Sequence, residues 1–117
     1  MESAQKKGKE RRNSPRVSCI SLLHYNFLDQ REFDKRQGIA RTINVSESGI
    51  LIESGYPFPI HSILEISLAV EEELIILKGE VVRGMISEND NYYLGLRFIE
   101  LSQRNRQIIL DFIINNN

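Results

Sequence analysis

Ile39-Ala40-Arg41-Thr42-Ile43-Asn44-Val45-Ser46-Glu47-Ser48-Gly49-Ile50-Leu51-Ile52-Glu53 is the stretch that decides the fold. Residues 39–45 and 49–53 are two β-rich runs with only Ser46-Glu47-Ser48 between them. So short a connection is a tight one, and it makes the two strands antiparallel neighbours. The first run alternates through Ile39, Arg41, Ile43 and Val45, the period of a strand with one buried face. Gly49 is predicted to supply an unusual backbone angle at the turn, or to let a strand or ligand approach closely.

The same grammar extends both ways. Upstream, residues 17–27 turn apolar, with Val17, Cys19, Leu23, Tyr25 and Phe27 on a period-two face. Residues 28–37 are polar and charged, and form a connection. Downstream, Gly55-Tyr56-Pro57-Phe58-Pro59 breaks the pattern. Residues 63–70 are a fourth strand, Glu71-Glu72-Glu73 a turn, and residues 74–83 a fifth strand. The run Leu74-Ile75-Ile76-Leu77 predicts burial on both sides for part of that strand. Residues 87–91 are a hairpin loop with Asp90-Asn91 at its tip, and residues 92–99 a sixth strand with Gly95 in the middle.

The period then changes. Ser102 is placed to cap a helix, and Ile108, Ile109, Phe112 and Ile113 recur at helical spacing, with Leu101 just ahead. Asn115, Asn116 and Asn117 fray its end. Six short strands and one closing helix predict a mainly β fold, a small antiparallel barrel or sandwich with the helix over one open end. There is no internal repeat and no second domain.

At 117 residues the chain can bury one real core, and 41% apolar with 26% charged residues is the balance of a globular protein. No run is long and apolar enough to span a membrane, and no apolar segment follows the basic N-terminus as a signal peptide requires. The single cysteine, Cys19, can make neither an internal disulfide nor a paired-cysteine metal site. Together these features predict a cytoplasmic protein without membrane insertion. The net charge of −1 conceals an asymmetry: residues 1–16 carry +4, so the remaining 101 residues carry −5. Residues 1–9 are predicted to be a flexible basic arm, and residues 10–117 the folded domain. A basic arm on an acidic body points to an anionic partner, whereas a nucleic-acid surface would make the whole domain basic.

Catalytic chemistry is not encoded in any recognisable constellation. His24 and His61 stand apart, no metal-ligand spacing exists, and no phosphate-cradling glycine loop is present. Cys19 lies on the apolar face of the first strand and reads as core. The chain is predicted not to be an enzyme and to need no cofactor or metal. Two other stretches carry binding chemistry. Glu10-Arg11-Arg12-Asn13-Ser14-Pro15-Arg16 is a basic knot in which Pro15 disfavours a helix. Arginine offers a planar fork for phosphates, for guanine O6 and N7, and for stacking on a base. Asn44 and Ser46 add donors and acceptors for a base edge or a phosphate oxygen. Taken singly, the first motif also describes two solvated arginines, and the second a turn capped by its own side chains.

Arg12-Asn13-Ser14-Pro15-Arg16 ahead of a first strand, followed by Asn44-Val45-Ser46-Glu47-Ser48-Gly49, resembles the PilZ domain family of bacterial cyclic di-GMP receptors. The likeness runs through about residues 10–114. Tyr56-Pro57-Phe58-Pro59 resembles the family's proline turn, and Lys78-Gly79-Glu80-Val81-Val82-Arg83 its Gly-x-Val-Val-Arg strand. Leu94-Gly95-Leu96-Arg97-Phe98 resembles its late strand, and residues 102–114 its closing helix. The resemblance implies a six-stranded antiparallel β-barrel with a C-terminal α-helix. It implies cyclic di-GMP as ligand, with Arg12 and Arg16 on guanine Hoogsteen edges and phosphates, Asn44 and Ser46 on the other base and phosphate positions, and Gly49 shaping the turn. Asn44 stands where the family more often has Asp, a stronger acceptor, which implies a lower affinity. Arg11 adds charge and is expected to favour an intercalated ligand dimer. A downstream protein partner completes the expected signalling role. The alternative is a degenerate adaptor that binds protein partners without nucleotide. A single-stranded nucleic-acid barrel fits less well, because Phe and Tyr fall mostly at core positions.

Overall fold

The computed structural model describes residues 16–28 and 37–116, the first five of them by backbone alone. The elements run β1 Arg16–Leu28, β2 Gln37–Ser46, β3 Gly49–Ser54, β4 Ile63–Val70, β5 Glu73–Ile86, β6 Tyr92–Ile99 and α1 Gln103–Asn116. The strands close into one antiparallel barrel in the order β1-β2-β3-β6-β5-β4. Each strand is paired on both sides, and this resolves the choice between sandwich and barrel. The expected arm at residues 1–9 and the polar connection at 29–36 lie outside the described residues.

The core is the inward row of each strand. Leu23 and Tyr25, Ile50 and Ile52, Leu64, Ile66 and Leu68, Ile75 and Leu77, and Leu94 and Leu96 are all buried. The helix covers one end. Ser102 Oγ accepts from the Asn105 amide at 3.1 Å, the capping bond that starts α1. Ile109 and Ile113 then point into the core. Away from the helix, Phe58 is a buried plug from the proline turn. Its ring meets Tyr25 edge-on at 5.3 Å, and Phe27 and Tyr56 pack against it at 5.1 and 4.7 Å.

Two expectations about burial fail for identifiable reasons. The run 74–77 is not buried on both sides: Ile75 and Leu77 are 1% and 5% exposed, but Leu74 and Ile76 are 67% and 55% exposed. A barrel strand has only one inside, and the outer face here stays largely exposed, although Asn105 Nδ2 of the helix donates to the Ile76 carbonyl oxygen at 3.0 Å. In β2 the buried residues are Ala40, Thr42, Val45 and Ser46, while Ile39 is exposed and Arg41 and Ile43 are half-buried. The β2–β3 register jumps between Thr42 and Asn44, so β2 carries an extra residue there. That bulge resets the alternation between Thr42 and Val45.

Candidate functional site

The bulge matters because of where it aims Asn44. Asn44 pairs with Leu51, whose neighbours Ile50 and Ile52 are buried. Directly paired residues share a face, so Asn44 and Leu51 both lie on the outside of the barrel. Asn44 is half-buried there. The strand that precedes the motif thus delivers its Asn outward through one inserted residue.

The β1–β2 ladder then brings the two sequence motifs together. Arg16 is the register partner of Ser46, Val17 of Val45, and Ser18 of Asn44. Neighbouring strands lie about 4.8 Å apart, so the last residue of the arginine motif starts β1 beside the Asn-Ser turn. The Arg16 side chain, Arg11 and Arg12 lie outside the described side chains and carry no geometry here. Cys19 is likewise described by its backbone alone.

Ser46 is 2% exposed and organises the turn itself. Its Oγ accepts from the amides of Ser48 at 3.3 Å and Gly49 at 3.2 Å. Ser48 carbonyl oxygen accepts from the Phe98 amide at 2.9 Å, which ties the turn to β6. Glu47 accepts from Arg106 at 3.2 Å, which ties it to α1. Gly49 corrects the expectation of an unusual backbone angle, since none of the described glycines has a positive φ. It is required by proximity instead: a Cβ there would lie 2.2 Å from the Leu96 carbonyl oxygen. The close approach of β3 to β6 is therefore what the glycine permits.

Beside this surface sits a group that sequence reasoning missed. Glu53 is 5% exposed yet ionised. Arg41 binds its Oε1, with Nε at 3.1 Å, and Ser87 Oγ donates to its Oε2 at 2.8 Å. These bonds, Arg41 foremost and Ser87 next, hold the carboxyl well below its ordinary value, at about 2. A charge on the same strand face as Leu51 gives no sequence signal that a loop will fold over it.

The histidines are engaged in small polar contacts. His24 Nε2 meets Gln37 Oε1 at 3.2 Å, and His61 Nδ1 meets Glu80 Oε2 at 2.7 Å. His61, and after it Arg97, lower the Glu80 pKa. Among the described residues no cluster of His, Cys, Asp and Glu could hold a metal ion. No described helix is long and apolar enough to cross a membrane.

Comparison with known proteins agrees with this fold. The family model described as the PilZ domain matches residues 10–115. No curated protein matches the chain in sequence. Among solved structures, the chain is similar to the PilZ domain of YcgR from Escherichia coli with c-di-GMP. The TM-score there is 0.64 at 13% identity, over 92% of each chain. It is also similar to the K. pneumonia MrkH–c-di-GMP complex, with TM-score 0.70 at 14% identity, over 91% of this chain and 51% of that one. The Bacillus subtilis inhibitor of motility MotI/DgrA gives 0.67 at 19% identity, over 91% and 51%. The chain thus spans about half the length of the latter two proteins.

Proposed function

The chain belongs to the PilZ domain family, and from that premise we propose that it is a cyclic di-GMP receptor rather than an enzyme. The observation that carries the proposal is the pairing of Arg16 with Ser46 and of Ser18 with Asn44. It sets the end of the arginine motif beside the Asn-x-Ser-x-x-Gly turn on one outer surface. Structures of similar fold that hold c-di-GMP support the same ligand here.

In this account Arg12 and Arg16 take guanine edges and phosphates, and Arg11 adds positive charge. Asn44 offers donors and an acceptor to a base edge. Ser46 and Gly49 fix the turn that presents it. The arm, whose composition predicts disorder when free, is drawn against the barrel by the ligand phosphates. The ordered arm changes the surface shown to a downstream protein partner.

Calorimetric titration with cyclic di-GMP tests this reading. Charge-assisted bonds to arginine contribute roughly 1.5–3 kcal/mol each, so Arg12→Ala or Arg16→Ala should weaken binding tenfold or more. Unchanged affinity in both variants means the arginines are not the clamp. No binding by the wild-type chain would leave the nucleotide-free adaptor in its place. A stoichiometry of two ligands per chain is the expected signature of Arg11 favouring a ligand dimer, and one per chain removes that role.

A further inference from the structure

Between the end of the barrel and the C-terminal half of α1 lies a cavity of about 260 Å³. Val45, Leu68, Val70, Ile109 and Phe112 give it apolar walls. Ser21 and Thr42 are register partners, so their side chains share the inward face and stand at the cavity together. Glu71, just after β4, and Asn116, in the last turn of the helix, are both exposed and mark its mouth. The cavity is separate from the motif surface, because Asn44 points to the outside of the wall and Thr42 to the inside.

Thr42 gives this cavity its chemistry. It is 0% exposed, and among the described residues its Oγ1 is the one buried side-chain polar atom without a hydrogen-bond partner. A buried hydroxyl without a partner weakens a fold, and native structures keep few such groups. Water is a poor remedy here, because a buried water needs about two to four polar partners and these walls are mostly apolar. An apolar cavity of roughly 150 Å³ holds a benzene ring. The larger volume between barrel and helix has room for a ring with substituents. The orphaned hydroxyl favours a polar group among them, and a threonine hydroxyl can both donate and accept. Glu71 at the mouth, and the net charge of −5 over residues 17–117, disfavour a carboxylate or a phosphate.

We propose that this cavity is a binding site for a small, neutral, phenol-like molecule, whose ring packs on the apolar walls and whose hydroxyl bonds to Thr42 Oγ1. The site stands independently of the cyclic di-GMP reading and adds a second class of ligand to the chain. Thr42→Val replaces the hydroxyl by a methyl group of similar size. Because that hydroxyl has no partner to lose, the variant should keep or raise the wild-type urea midpoint. Ser21→Leu supplies an independent variant, which puts a larger side chain into the same space.

The test titrates the full chain with p-cresol and with p-xylene, which carries a methyl group where p-cresol carries its hydroxyl, and follows backbone amides by NMR. Wild type is expected to bind p-cresol saturably, with shifts at residues 42–45, 68–71 and 109–116. Thr42→Val should weaken p-cresol about fivefold or more and leave p-xylene within about twofold of wild type. Ser21→Leu should weaken both probes. The site is overturned if wild type shows no saturable shifts there, if Thr42→Val weakens the two probes equally or neither of them, or if Ser21→Leu leaves both unchanged. A lowered urea midpoint in Thr42→Val also overturns it, because the hydroxyl would then have a partner in the fold already.

Discussion

A methyl group on Gly49 would meet the Leu96 carbonyl oxygen at 2.2 Å, and that oxygen belongs to backbone held in a ladder. Gly49→Ala is therefore expected to cost about 1–3 kcal/mol of stability, read as a lower urea midpoint. An unchanged midpoint would show that β3 can move away from β6 freely. Ser46 acts on the same turn by another route, since its buried Oγ serves two amides. Ser46→Ala leaves those amides without their acceptor, at a cost of about 1–3 kcal/mol, so weakened binding in that variant would partly report turn damage. Asn44 is the better probe of the proposed recognition, because it faces outward two residues from Ser46. An aspartate there accepts from guanine N1 and N2 with a full charge, and charge-assisted bonds are roughly twice as strong as neutral ones. Asn44→Asp should bind cyclic di-GMP more tightly by titration, and weaker binding would place Asn44 against a phosphate instead.

Between elements, Glu53 links β3 to β2 through Arg41 and to the β5–β6 loop through Ser87 and Asn91. Its pKa is about 2 in the folded chain against an ordinary 4.5. A depressed carboxyl pKa stabilises the fold fully above the ordinary value, and that stability is lost as pH falls through the folded one. Urea midpoints should therefore decline between pH 4.5 and about 2, and Glu53→Gln should flatten that decline. Equal slopes in both proteins would show that Glu53 is not the group responsible. Element bounds were largely legible from sequence, and β4 and β6 begin and end where alternation and turn residues place them. Phase was less legible. The bulge between Thr42 and Asn44 leaves no compositional mark, so Ile43 reads as core while Thr42 takes the inward place. Leu74 and Ile76 read as doubly buried because hydrophobicity alone cannot say which side of a strand receives cover. The arginine and Asn-Ser motifs were visible, but their adjacency is a property of register and needed the β1–β2 ladder.

For the whole molecule, the inward rows of a closed barrel form the core, and the proposed recognition lies on its outer wall. The helix and the Phe58 plug occupy its ends. Residues 17–117 are acidic overall and the first 16 residues are basic. If the proposed anionic ligand joins arm to body, affinity for cyclic di-GMP should fall as salt rises. Salt-independent affinity would contradict a phosphate-centred clamp. The most direct measurement is an NMR titration of the full chain with cyclic di-GMP, following backbone amides. The account predicts saturable shifts at residues 16–18 and 44–49 and in the arm before residue 16, all abolished or strongly weakened in Arg12→Ala. Absence of shifts at both Arg16 and Ser46, or equal shifts in Arg12→Ala at the same ligand concentration, would contradict it.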